Sequence, residues 1–209
     1  MARPRSNISE RVLEAACARF LADGVDGASL RAIAAQAKTS IGMVYYYYPS
    51  KEELFFAVVE EAYSKLVRDL ALALAPDCSV EERLRRFYER LGALSDAELR
   101  VLRLVVCEVL RSKERFERIA LRFQSGHVAL IAQTVLQAFR DGTFAPGRHP
   151  VVAMVSLLSL AGLGQVAARF AADRLPFPGA PLAPTGAVLS ADLVGVLLHG
   201  LSVPPRRDS

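Results

Sequence analysis

The chain has 209 residues and a mass of 22.7 kDa, with 52% apolar and 23% charged side chains. That is enough material for one large core or two small ones, and with 11 Pro and 13 Gly it excludes disordered, collagenous and low-complexity classes. Net charge is only +4, but residues 1–51 carry seven basic against four acidic side chains, so most of the excess lies at the front.

Cys17, Cys78 and Cys107 stand far apart and in odd number, giving no metal-ligand spacing and no complete disulfide framework. A reducing compartment fits. The opening MARPRSNISERV turns charged and amphipathic where a secretory signal needs an unbroken apolar run, so a cytoplasmic chain is expected.

Apolar residues recur at intervals of three and four throughout, which predicts an all-α fold of about nine helices. Asn7 and Glu10 make a capping box for the first, with Ile8, Val12, Ala16 and Phe20 on one face and Gly24 at its end. Ser29 can cap a second helix to about Gln36, and Ser40 a short third before Pro49. Ser50 with Glu53 opens the fourth, from Lys51 to about Ala75, roughly 37 Å long at 1.5 Å per residue. Ser79 with Glu82 and Ser95 with Glu98 open helices over about 80–94 and 96–111, and a seventh helix spans 113–141 to Gly142. An eighth runs from Pro150 to about Arg174. The Pro- and Gly-rich stretch 175–186 is a loop, Ser190 caps a last helix to about Gly200, and the tail PPRRDS frays.

Val151 to Ala168 is 18 residues without a charge, the lower limit for a membrane span. Its serines, glycines and Gln165, and the lack of an aromatic belt, favour a buried helix.

Function enters at the second and third helices. They are joined by the short turn Ala37-Lys38-Thr39, the geometry that places a helix in the DNA major groove. Ser40 and Gly42 are small enough for close approach to base edges, and Tyr45, Tyr46 and Tyr47 are phenols able to donate to phosphates. Four consecutive tyrosines spread around about 300° of a helix, so not all can be buried; Val44 and Tyr48 are expected to face inward.

The segment SLRAIAAQA, followed by SIGMVYYYYPSKEELF, carries Ser-x-Gly-x-x-Tyr-x-Tyr-aromatic-x-Ser-Lys-Glu-x-Leu in fixed register. From about Ile8 to Tyr63 the chain resembles the TetR family of transcriptional regulators. The resemblance implies a helix-turn-helix DNA-binding domain over 1–51, and a larger helical ligand-binding and dimerisation domain over 52–209. It implies that Ser29 and Arg31 approach DNA, that Thr39, Ser40, Ile41, Gly42 and Met43 lie at or near base edges, and that Tyr45, Tyr47 and Lys51 meet phosphates. The chain departs from the pattern at Lys38, where a turn glycine is usual, and at Thr39, where a small apolar residue is usual. Lys38 must then accept the turn's backbone conformation. Arg3 and Arg5 are read either as groove or phosphate contacts or as a solvated arm.

The resemblance further implies a homodimer through the last two helices, which the small and uncharged residues Ser159, Ala161, Gly162 and Gly164 suit independently. Candidate effector-lining residues are Tyr63, Leu66, Phe87, Leu91, Leu104 and Cys107. To these the predicted seventh helix adds a line through Phe116, Ala120, Phe123, His127 and Leu130. Glu108 either meets a ligand cation or pairs with Arg111 or Arg122. Arg83, Arg85, Arg86 and Arg90 read as a solvated face. No hydrolase, phosphate-loop or zinc-protease motif occurs, and His127, His149 and His199 have no metal-ligand spacing, so neither an enzyme nor a cofactor is expected. The resulting reading is a dimeric, ligand-responsive DNA-binding regulator, a repressor released from a palindromic operator by an apolar or aromatic effector. The alternatives are a ligand-independent architectural DNA-binding protein and a membrane-associated helical protein.

Overall fold

The computed structural model describes residues 7–174 and 186–201; Arg3, Arg5, the proline-rich stretch 175–185 and the tail from 202 lie outside them. Ten helices and no strand occur among the described residues. They are α1 (Asn7–Gly27), α2 (Leu30–Gln36), α3 (Ile41–Tyr47), α4 (Lys51–Ala73), α5 (Val80–Gly92), α6 (Asp96–Arg111), α7 (Lys113–Phe123), α8 (His127–Arg140), α9 (Pro150–Arg174) and α10 (Gly186–Leu201). They form two compact units, Met1–Lys65 with Asp96–Ile119, and Leu66–Ser95 with Ala120–Ser209.

In the first unit α1 packs on α2 and α6, and α2 on α3. Val12, Ala16 and Phe20 of α1 meet a core that includes Ile33, Val44, Leu54, Phe55 and Leu104, none more than 1% exposed. Each large apolar side chain buried to this depth contributes about 1.5–3 kcal/mol. Phe20 and Phe55 stand edge to face at 6.2 Å, a favoured aromatic arrangement.

In the second unit α5 is central, packing on α8, α9 and α10. Leu84, Phe87 and Tyr88 are buried, and the Tyr88 hydroxyl donates to the Leu157 carbonyl at 3.1 Å. Burial pushes that phenol's pKa well above its ordinary value. At Gly92 a Cβ would collide with Ser190 Oγ and come within 2.7 Å of the Gly186 carbonyl, so only glycine lets α5 and α10 approach this closely.

Four expectations need correction. The helix expected over 113–141 is two, α7 and α8, broken at Gln124–Gly126, where Gly126 has ψ −131. Ser190 is not a cap: α10 begins four residues earlier, and Ser190 is fully buried with its hydroxyl donating to the Gly186 carbonyl at 2.9 Å. Arg83 is buried rather than solvated. Its guanidinium donates to the Leu74 carbonyl, Gln137 Oε1 and Thr134 Oγ1 at 2.8–3.0 Å, satisfying an open carbonyl just past the end of α4. Finally, α9 is not a buried helix. Pro150–Ala168 is long and apolar enough to cross a membrane, yet only 22% of that stretch is buried, because a single stripe of Ala153, Leu157, Ala161 and Gln165 faces the core.

Candidate nucleic-acid interface

The interface is built by three serine caps and one kink. Ser29 Oγ accepts the Ala32 N–H at 3.5 Å, Ser40 Oγ the Met43 N–H at 3.2 Å and Ser50 Oγ the Glu53 N–H at 3.0 Å, so α2, α3 and α4 each start where the sequence sets a hydroxyl. The helix α1 kinks at Gly24, with φ +72, a conformation that favours glycine. A Cβ there would also collide with the Arg111 guanidinium.

On α3 only Val44 is fully buried. Tyr48, just past the end of α3, is half-buried, and its hydroxyl shares a 2.8 Å hydrogen bond with Ser9 Oγ of α1, tying the end of the short helix to its support. Tyr45 and Tyr46 are 51% and 61% exposed, and Tyr46 packs edge-on against half-buried Tyr47 at 5.2 Å. Ser29, Arg31, Ser40 and Gly42 are exposed, while Thr39, Ile41 and Met43 are half-buried. The third helix thus offers a surface of small polar groups followed by phenols. Lys51 differs: half-buried, its ammonium donates to the Asp26 carbonyl at 2.5 Å and the Ala28 carbonyl at 3.2 Å. One of its three N–H groups stays open to a phosphate.

Behind this surface lies a charge network of which the sequence suggests only the pairing of Glu108 with Arg111. Glu108 of α6 is 1% exposed; its Oε1 accepts the Val25 N–H at 3.2 Å, and its Oε2 accepts Arg115 Nη1 at 2.5 Å. The Arg115 Nη2 donates to Asp26 Oδ1 at 2.8 Å, and this bond holds the Asp26 carboxyl below its ordinary pKa. Arg111 stands 3.5 Å from Glu108, the pairing the sequence suggested, but Arg115 is the closer partner. Arg118 of α7 pairs with Glu52 at the start of α4. These bonds fix the end of α1, and with it the entry to α2, against α6 and α7. A glutamate inside LVVCEVL with arginines three and seven residues on was the available signal.

Residues 12–58 match the sequence model described as bacterial regulatory proteins, tetR family. The segment that carries α2 and α3 is thus similar to the TetR family. Over 107 residues the chain is 34% identical to the HTH-type transcriptional repressor SCO4008 of Streptomyces coelicolor, covering 51% of this chain and 52% of that protein. The chain thus matches about half of that relative's length. Two solved structures share the whole fold. One is a TetR-family regulatory protein from Rhodococcus RHA1, with TM-score 0.74 and 22% identity, covering 96% of this chain and all of that one. The other is the transcriptional regulator FadR of Bacillus subtilis in complex with stearoyl-CoA, with TM-score 0.73 and 15% identity, covering 92% and 98%. These relatives are named as regulators, not enzymes.

The residues expected to line an effector site divide between the two units. Tyr63, Leu104, Cys107 and Phe116 belong to the first, and Leu66, Phe87, Leu91, Phe123 and His127 to the second. Phe87, Leu91, Leu104 and Phe123 are buried; Tyr63, Leu66 and His127 are half-buried. Cys107 and Phe116 are exposed, Phe116 by 50%. The line from Phe116 to Leu130 assumed one continuous helix, and the break after Phe123 splits it between two. Burial lowers the His127 pKa, favouring the neutral imidazole.

Proposed function

We propose that the chain is a cytoplasmic, homodimeric repressor that binds a palindromic operator and is released by a small apolar or aromatic effector. Residues 1–51 serve DNA binding and 52–209 serve sensing and dimerisation. The observation that carries this reading is the Ser40-capped α3 with its exposed tyrosines, inside a segment that matches the TetR family. In it Ser29, Arg31 and Lys51 hold the backbone together with Tyr45, Tyr46 and Tyr47, while Thr39, Ser40, Ile41, Gly42 and Met43 reach base edges. The relative bound to stearoyl-CoA supports a long apolar effector as the class to try first, with buried Phe87, Leu91 and Phe123 of the second unit as part of its surroundings.

Dimerisation through α9 and α10 follows from what those helices leave open. Val151, Val152, Val155, Leu163, Val188 and Val196 are 46–68% exposed, an apolar surface that a second copy covers in an isologous contact. Release is a population shift. An effector that favours another placement of α6 acts on α1 through Glu108 and Arg115, and lowers operator affinity by its differential binding energy.

Selecting fragments of the source genome on the purified protein tests the reading. A palindromic fragment is expected to be enriched, and fatty acyl or aromatic compounds to release it. Failure to enrich any fragment would remove the DNA-binding role, and binding that no small molecule alters would leave an architectural protein.

A further inference from the structure

The helix α2 ends in a closed turn. The Thr39 N–H donates to the Ala34 carbonyl at 3.0 Å and the Lys38 N–H to the Ala35 carbonyl at 3.1 Å. These are the paired bonds of a helix end whose following residue turns left-handed, a place that glycine usually takes. Lys38 takes it here with φ +52, and among the described residues it is the only non-glycine with positive φ. The turn needs that backbone conformation, but nothing in its hydrogen bonding needs a long cation. A residue kept at a strained position invites a functional explanation.

The side chain supplies one. Lys38 is exposed, and its ammonium has no hydrogen-bond or ion-pair partner among the described residues. Arg31, exposed in the same way, stands at the other end of α2. The two lie seven positions apart, a rise of roughly 10 Å along the axis, against a major groove about 12 Å wide. The first helix of a helix-turn-helix crosses the DNA backbone, so a cation at each of its ends can reach a phosphate on either side of the groove that α3 enters. Lys51 does not serve the far end, because its ammonium is held by the Asp26 and Ala28 carbonyls before the start of α2, at the Arg31 end.

We infer that Lys38 is a phosphate-binding residue, clamping the operator backbone at the end of α2 opposite Arg31. This rests on the DNA-binding reading above and adds to it a contact at a position where glycine would ease the fold. A cation at the turn tightens binding without choosing sequence.

The test is Lys38→Gly, measured on the operator duplex selected with the wild-type protein, by fluorescence anisotropy across a salt series and by thermal melting. Removing the strain raises the melting temperature. Losing the phosphate contact lowers affinity about fivefold per subunit at physiological salt, and lowers the slope of log affinity against log salt by about 0.9 per subunit. The loss is the same on every operator variant, and Lys38→Arg restores the slope. Unchanged affinity and slope for Lys38→Gly would overturn the inference while leaving the DNA-binding reading intact. So would a loss confined to particular operator variants, which would mark a base contact. Lys38 also lines an open depression of about 410 Å³ with Arg11, Glu14 and Gln36. Were it kept to pair with Glu14, Lys38→Gly would melt lower and bind DNA as before, which also overturns the proposal. A wild-type protein that selects no duplex would sink the DNA-binding reading and this inference with it.

Discussion

A carboxylate buried as deeply as that of Glu108 persists because donors converge on it: the Val25 N–H, the Arg115 guanidinium and, farther off, Arg111. Removing one partner of a buried ion pair leaves an uncompensated charge, typically costing 3–5 kcal/mol. Because the Val25 bond and Arg111 remain, Arg115→Ala is expected at the low end, about 3 kcal/mol by urea denaturation, while Glu108→Gln, which keeps an acceptor for Val25, costs less. A change within about 0.5 kcal/mol for Arg115→Ala would mean that the network is solvated and holds nothing. His127 bears on pH instead. Burial lowers its pKa in the folded chain, whereas the unfolded chain titrates near the ordinary value of about 6.5. As pH falls through about 6.5 the unfolded state takes up a proton that the folded state resists, so stability is full above that value and declines below it toward the folded pKa. Melting temperatures between about pH 7.5 and about pH 5.5 should fall with pH, and more steeply in wild type than in His127→Gln. Equal slopes would show that the imidazole is not held apart from solvent.

At the level of elements, what the sequence discloses depends on how local the cause is. The caps at Ser29, Ser40, Ser50 and Ser79 form where a serine precedes an apolar repeat, since a hydroxyl two or three residues from an open N–H needs no tertiary partner. Likewise Val44 faces inward and Tyr45 and Tyr46 outward, as the 100° step of a helix demands, whereas Tyr48, expected inward, lies in extended backbone just past α3 and is half-buried against Ser9. The break between α7 and α8 is less legible, because Gln124, Ser125 and Gly126 are weak breakers and the apolar repeat resumes on both sides. Its effect on function is large, for it moves Phe116 and His127 onto different helices. Arg83 misled for another reason. Neighbouring charges on one helix suggest solvated pairs, but its three acceptors come from Leu74, Thr134 and Gln137, two of them more than fifty residues away. Glu108 follows the same rule, since its backbone partner Val25 lies 83 residues off.

For the whole molecule the decisive feature is what α9 and α10 do not bury. The inward stripe of α9 is narrow, and the valines at 151, 152 and 155 stand more than half exposed. Apolar surface of that extent marks an interface. A helix-turn-helix dimer reads half-sites about 34–36 Å apart, or a multiple of that, so two copies of α3 are held at a fixed spacing only if such an interface exists. Val155→Glu places a charge where a partner copy would bury it, while a single chain leaves it in water. The expected outcome is a chain with unchanged helical circular dichroism that sediments as a monomer at micromolar concentration, against a dimer expected for the wild type. Operator affinity should fall steeply, toward that of a single half-site, while the salt dependence per subunit is retained. Leu157→Glu, one helical turn beyond Ala153 on the inward stripe, faces the core instead and should unfold the chain, separating loss of assembly from loss of fold. If Val155→Glu remained dimeric, α9 would face something other than a second copy. A wild-type monomer would remove the interface altogether, and with it the geometric reason for a palindromic operator.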